Sequence, residues 1–297
     1  MTPAPVRRRL DAELVRRGLA GSRESARALV ESGVVLVAGA LADKSARLVS
    51  ESEPVVVGDD RSKRFVSRGG DKLDAALERF GVDVAGCRCL DAGASTGGFT
   101  DCLLRRDAAS VVAVDVGYGQ LAPALRHDAR VTVRERTNVR ALTREDAGEA
   151  PFEVVVADLS FISLATVAPV LAGEMAAPGA AIVVLVKPQF EAGRAQASRG
   201  KGVIRDPAVR RRALDQVASA LASQGATIMG AMASPLLGPA GNAEFFLHAR
   251  AHEAPPGLST PSDPAVAAML DAAVVAAPDA DADATPRTPT GPGPGEG

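Results

Sequence analysis

The chain has 297 residues, 46% apolar and 24% charged, the balance of a soluble globular protein with one large domain or two ordinary ones. Its longest apolar run, Ala180 to Val186, is seven residues against the ~20 needed to span a bilayer, and no charged-then-apolar leader opens the sequence, so neither secretion nor membrane insertion is expected. The three cysteines, Cys87, Cys89 and Cys102, offer neither a disulfide framework nor zinc-ligand spacing and read as reduced thiols in or near the core of a cytosolic protein. The net charge of −2 is unevenly spread. Residues 251–297 carry one basic and seven acidic residues, which leaves 33 basic against 29 acidic in the rest. Residues 1–72 hold 14 basic and 10 acidic residues, an excess that points mildly to an acidic partner such as nucleic acid. With no Trp and one Tyr, a stacking platform of several aromatics is not expected.

In chain order, Leu10, Leu14 and Val15 share one helical face, and Gly18 follows as a stop. Ser22 is placed to cap a second helix with Ala26, Leu29 and Val30 inward and Gly33 at its end. Val34–Val37 and Pro54–Val57 read as strands, with a turn at Ala38-Gly39. Residues 1–60 thus predict a small α+β domain, and the polar, basic residues 61–69 a linker. From 70 to 251 strands and helices alternate. The strands are Arg88–Asp91, Val111–Asp115, Val131–Arg134, Val154–Asp158, Ile182–Val186, Thr227–Ala231 and Phe245–Ala249. Continuous apolar strands predict a sheet covered on both faces, a doubly wound α/β fold with its ligand beyond the strands' carboxyl ends. Residues 252–297 hold nine of the twenty prolines and read as a disordered acidic tail, with room for one helical turn around Val266 to Leu270.

Two constellations carry chemistry. Asp91-Ala92-Gly93-Ala94-Ser95-Thr96-Gly97-Gly98-Phe99 lies between a strand and a helix, and its glycines let backbone approach a ligand. Ser95 occupies the second glycine of a dinucleotide fingerprint, so the spacing suits an S-adenosylmethionine loop better. Asp115, ending the next strand, is placed to accept both ribose hydroxyls of an adenosyl group. The bland alternative is a Gly-rich turn beside an exposed aspartate. The second constellation is Lys72, Asp158, Lys187 and Glu244. Asp158 and Lys187 end buried strands, Glu244 starts the last one, and Lys72 follows the Gly69-Gly70 turn. Each alone reads as a solvated charge; four at one sheet edge read as a site, provided the last strand runs antiparallel.

These strings resemble the TlyA family, also called the haemolysin A family, of rRNA 2′-O-methyltransferases. The similarity extends through Asp115-Val116-Gly117-Tyr118-Gly119-Gln120-Leu121, Ala157-Asp158-Leu159-Ser160-Phe161-Ile162-Ser163-Leu164, Leu185-Val186-Lys187-Pro188-Gln189-Phe190-Glu191 and Gly241-Asn242-Ala243-Glu244-Phe245-Phe246. It covers about residues 7–250. The resemblance implies a ribosomal-protein-S-four-like RNA-binding domain joined to an FtsJ-like domain with a Rossmann-like, seven-stranded methyltransferase sheet. It implies S-adenosylmethionine bound by Asp91, Gly93, Ala94, Ser95, Thr96, Gly97, Gly98, Phe99, Asp115 and Asp158, and a Lys-Asp-Lys-Glu catalytic tetrad at Lys72, Asp158, Lys187 and Glu244. The basic N-terminal extension is similar to the actinobacterial subtype, which modifies a cytidine in the rRNA of both subunits.

The expected activity is therefore 2′-O-methylation of rRNA in the cytoplasm, with Lys187 as the general base or the nearest group to it, and Asp158 orienting it. RNA contacts are expected from Arg7, Arg8, Arg9, Arg16, Arg17, Arg23, Lys63, Arg64 and Arg68. Asn138 is either an adenine ligand or a loop cap, and Phe65 either packs between domains or is an exposed anchor. No metal is expected, because His127, His248 and His252 lack ligand spacing and read as surface or loop residues. The rival readings are a methyltransferase of the same fold acting on another RNA, a non-catalytic RNA-binding assembly factor and, from the haemolysin name, a membrane-lytic protein.

Overall fold

The computed structural model describes residues 7–31, 34–42, 44–57, 64–193, 202–251 and 260–278. The first unit comprises β1 (Arg7–Arg9), α1 (Leu10–Arg16), α2 (Arg23–Glu31), β2 (Val35–Val37), β3 (Ala40–Leu41), β4 (Leu48–Ser50) and β5 (Val55–Val57). Its core joins Leu10, Leu14, Ala26, Val30, Val35 and Val37, and Ser22 Oγ accepts the Ser25 N–H at 3.1 Å, the expected cap. β1 and β4, which pair antiparallel, are additions to the sequence reading. A strand of three arginines has no apolar alternation to reveal it; its partner strand supplies the backbone hydrogen bonds that define it.

The second unit comprises α3 (Arg68–Phe80), β6 (Arg88–Ala92), α4 (Gly98–Arg105), β7 (Ser110–Val114), α5 (Pro123–Arg126), β8 (Val131–Arg134), β9 (Phe152–Ala157), α6 (Leu164–Ala168), β10 (Ala176–Val186), α7 (Pro188–Glu191), α8 (Pro207–Ala222), β11 (Thr227–Ala233), β12 (Phe245–Arg250) and α9 (Pro264–Val275). All seven expected strands are present in one sheet of order β11-β12-β10-β9-β6-β7-β8. β12 runs antiparallel to β10, with Phe245 opposite Val186, so Glu244 emerges at the edge where Lys187 leaves. The apolar strands are covered on both faces: Ile182 and Val184 join one core cluster, Val183 and Leu185 the other.

The structure differs from the sequence reading at four places. α3 begins at Arg68, so Gly69-Gly70 is helix rather than turn, and Lys72 lies inside the helix. Gly70 is needed there because a Cβ would strike the Phe65 ring. Phe65 itself is buried in the core of the second unit, neither an interdomain contact nor an exposed anchor. Residues 264–275 form three turns of helix, not one, with Val266, Leu270 and Ala273 buried against the sheet side carrying α8. The rest of the tail, 252–259 and 279–297, lies outside the described residues. His248 is buried on β12 against Phe80 (ring centroids 5.3 Å apart), where burial pushes its pKa down to about 4; His252 is outside the described residues. Cys89 and Cys102 are buried free thiols and Cys87 is half-buried.

Candidate active site

The parallel strands β7, β6, β9 and β10 deliver their carboxyl ends to one edge, and the loops that follow them build the site. After β6 the chain turns sharply. Gly93 has φ +89°, and a Cβ there would sit 2.5 Å from the Asp158 carbonyl oxygen. This glycine therefore lets the loop close onto the end of β9, which brings the two constellations together. Gly97 caps α4 and Gly98 opens it. Phe99 is buried against Phe246 at 6.1 Å between ring centroids, so it belongs to the core rather than to a ligand surface.

Two carboxylates flank this loop. Asp115 Oδ2 accepts the Ser95 N–H at 2.8 Å and Oδ1 the Gly117 N–H at 2.6 Å. Each oxygen keeps a lone pair for another donor. Ala94, Ser95, Asp115, Gln120 and Leu121 line a cleft beside it. Asp91 is fully buried; Thr100 Oγ1 donates to its Oδ2 at 2.6 Å, while Oδ1 has no hydrogen-bond partner. An unpaired buried acceptor suits a cationic or N–H donor from a ligand. The donor set thus fits S-adenosylmethionine: Asp115 for vicinal hydroxyls, Asp91 for a positively charged group. Asn138 is the cap of a short 3-10 turn, its Oδ1 accepting the Arg140 N–H at 3.0 Å. The capping alternative accounts for that residue.

Burial pushes the Asp91 carboxyl up to about 7, with the nearby Asp158 charge adding to the shift and the Thr100 hydroxyl opposing it. The folded state therefore keeps a proton that the unfolded chain loses near pH 4, and stability falls as pH rises from there to about 7. Asp91→Asn is expected to raise the melting temperature of the cofactor-free protein more at pH 8 than at pH 5. Thermal melts of both proteins at the two pH values check this, and an equal gap at both would count against it.

The four charged residues form two ion pairs. Lys72 Nζ donates to Glu244 Oε2 at 2.6 Å across 172 positions of sequence, and both are buried. Lys187 Nζ lies 2.5 Å from Asp158 Oδ1 and donates to Ser160 Oγ at 3.1 Å. The two lysines are similarly covered, 9% exposed at Lys72 and 12% at Lys187, but Asp158 is 24% exposed against 1% for Glu244, so the second pair is the more accessible to a substrate. Sequence reasoning missed four neighbours of this pair. Ser160 holds Lys187. Phe161 projects with 91% exposure, its backbone at φ +65°, and its ring lies 5.1 Å from that of Phe190. Glu191 bonds Ser163 and Leu164. Their sequence signals are membership of the family-like strings and position: each lies within four residues of a strand-end charge.

The arginines of the first unit are organised by two buried acids. Asp11 receives Arg9 at 3.0 Å, Arg23 at 3.2 Å and Arg27 at 3.4 Å, and Arg9 above all holds its carboxyl well below the usual range. Glu13 receives Arg16 at 2.6 Å and Arg17 at 2.7 Å, and its pKa falls to about 2, chiefly through Arg16. Arg17 also donates to the carbonyls of Ser50, Glu51 and Glu53, so it is a structural residue. Arg7 and Arg8 lie on β1, Arg64 pairs with Asp74, and Arg68 donates to the Leu237 carbonyl at 3.1 Å. Lys63 lies outside the described residues. Among the described residues no group of His, Cys, Asp and Glu is placed to hold a metal ion, and no helix is long and apolar enough to cross a membrane.

A doubly wound seven-stranded sheet with an antiparallel last strand, a glycine loop flanked by Asp91 and Asp115, and a lysine–aspartate pair at the same edge define a class, the S-adenosylmethionine-dependent methyltransferases. The FtsJ-like methyltransferase family matches residues 65–251 and the S4 domain residues 8–55. The chain belongs to the TlyA family of FtsJ-like methyltransferases. It is 55% identical over 244 residues to the 16S/23S rRNA (cytidine-2'-O)-methyltransferase TlyA of Mycobacterium tuberculosis, an alignment covering 82% of this chain and 90% of the relative. It is 38% identical over 240 residues to the Hemolysin A of Brachyspira hyodysenteriae, covering 81% of this chain and 98% of that one. A solved structure from Streptococcus thermophilus, provisionally named a hemolysin, superposes with a TM-score of 0.69 at 35% identity, covering 92% of this chain and 96% of the other.

Proposed function

We propose that the protein transfers a methyl group to the ribose 2′-hydroxyl of cytidine in rRNA of both ribosomal subunits, and that it works in the cytoplasm where ribosomes are. The observation that carries this reading is the Lys187–Asp158 pair, partly exposed at the sheet edge and pressed against the cofactor loop through Gly93. The rRNA cytidine activity of the 55% identical relative supports the substrate. S-adenosylmethionine supplies an electrophilic methyl group. A ribose hydroxyl is a weak nucleophile whose proton must leave as its oxygen attacks, so a base has to stand within ~3 Å. Lys187 Nζ is the group placed to take that proton, once its ammonium has given one proton to solvent and become the neutral amine. Asp158 and Ser160 orient it, and the buried Glu244 fixes Lys72 beside the same strand end. The exposed Phe161 ring offers a face to an unstacked base, the usual way single nucleotides of RNA are held.

The first unit contributes phosphate contacts, which position RNA without reading its sequence. The three arginines around Asp11 are pre-set and stay about half exposed, so they are the ones to test. Arg9→Ala or Arg23→Ala is expected to weaken rRNA binding and to lower the slope of log affinity against log salt by about one. Arg17→Ala is expected to lower the melting temperature instead, because it strands three carbonyls. Titrations at several salt concentrations, with parallel melts, separate the two behaviours.

The activity itself is tested with methyl-labelled cofactor and purified rRNA or subunits, followed by mapping of 2′-O-methyl positions. Label on a cytidine 2′-oxygen in both subunits' rRNA is the expected result. Label confined to a base, or absent from RNA altogether, would overturn the reading.

A further inference from the structure

We propose that Glu191 is a positioning residue that clamps the loop after β9 onto the loop after β10 and thereby holds Lys187 against Asp158; the proposal rests on the reading of Lys187 as the proton acceptor. β9 and β10 are adjacent parallel strands, with Ala157 opposite Val184. Each then releases a loop carrying one member of the reactive pair. An ion pair that solvent still reaches is a limited tie between two such loops, because water competes for the charges.

Glu191 supplies a firmer one. It ends α7, the single helical turn that follows Lys187, and its side chain is buried. Oε2 accepts the Ser163 hydroxyl at 2.5 Å and Oε1 accepts the Leu164 N–H at 2.8 Å. Both donors belong to the other loop, at the start of α6, so one side chain bonds the far end of one loop to the far end of the other. The Phe161 and Phe190 rings meet between these bonds and the Lys187–Asp158 pair. The contacts therefore run in register along the two loops, and the buried carboxylate closes the series. Burying a carboxylate costs free energy unless its lone pairs are used. Burial indeed pushes this carboxyl above its usual range, while the donors from Ser163 and Leu164 pull it back. Packing alone would be served as well by an apolar side chain; two acceptors aimed at two donors of a second loop are a geometric device. A displacement of ~1 Å at a reacting group can cost a factor of ~100 in rate, which is the scale on which such a clamp acts.

The test uses the full chain with an rRNA substrate, measuring single-turnover methyl transfer, cofactor and RNA dissociation constants, and melting temperature. Glu191→Ala is expected to slow transfer by about 10–100-fold while both dissociation constants stay within about twofold, since Asp91, Asp115 and the first unit are untouched. Glu191→Gln is expected to recover most of the rate, because its carbonyl can accept from Leu164 and its amide can donate to the Ser163 oxygen. Ser163→Ala, which removes one of the two bonds, is expected to slow transfer several-fold and keeps the test decisive if Glu191→Ala fails to fold. The proposal is overturned if Ser163→Ala or a folded Glu191→Ala retains the wild-type rate, if Gln is as slow as Ala, or if rate and both affinities fall together. Failure of the underlying reading looks different: Lys187→Ala would then retain its rate whatever Glu191 does.

Discussion

Lys187→Ala is expected to lower the single-turnover rate of methyl transfer by about 10²–10⁴-fold, the usual contribution of a positioned acid or base. Cofactor and RNA binding should change little, because neither the Gly93 loop nor the first unit depends on the Lys187 side chain. The informative partner is Lys187→Arg. Arginine keeps the positive charge and can still pair with Asp158, but it does not give up its proton in a protein. If Lys187 takes the hydroxyl proton, the arginine enzyme is as inactive as the alanine enzyme. If Lys187 only positions the substrate by its charge, the arginine enzyme keeps much of its rate. Asp158→Asn should fall between the wild type and Lys187→Ala. It leaves a polar neighbour 2.5 Å from Nζ but removes the charge that orients it. Rapid-quench measurements on an rRNA fragment, with calorimetry for cofactor affinity, distinguish these outcomes.

The second large effect is on stability. Ending the chain at Ala251 removes α9, which buries Val266 and Leu270 completely and Ala273 almost so. Fully burying a Val or Leu side chain contributes about 1.5–3 kcal/mol. Truncation also opens the apolar surface of β11 and α8 beneath, and removes one of the two carboxylates paired with Arg211, whose Nε lies 2.9 Å from Asp271 Oδ1 while Asp215 on α8 stays in place. A loss on the order of 3 kcal/mol is expected, which for a unit of this size lowers the melting temperature by roughly 6–12 °C. Ending the chain after Pro278 instead is expected to leave it unchanged, since the Pro- and Gly-rich remainder has little apolar surface to contribute. Calorimetric scans of the two truncations against the full chain decide it. A drop shared equally by both would place the stabilising segment after residue 278.

The seven strands and the positions of Asp91, Asp115, Asp158 and Lys187 were legible without coordinates. Buried parallel strands must be apolar throughout, so a charge where such a run stops marks the sheet edge. Helix α9 was misread because Ala and Val surround it on all sides and prolines flank it. Its burial comes from the neighbours α8 and β11 rather than from an amphipathic stripe of its own. β1 was invisible because three arginines have no apolar alternation, and Arg17 looked like its neighbours until its three carbonyl partners were in place.

What the sequence by itself determined is therefore the set of strands, the edge at which the reactive groups emerge, and the chemistry of those groups, because each depends on local runs and their ends. Only the tertiary structure decided the pairing. Lys72 meets Glu244 across 172 residues because β12 turns antiparallel beside β10. Gly93 proves to serve the close approach of two loops, because a Cβ there would meet the Asp158 carbonyl. Ser160, Phe161 and Glu191 acquire partners only when β9 and β10 lie side by side. Residue type is carried by the chain, but distance between residues far apart in sequence is set by sheet order and register, which no local pattern encodes.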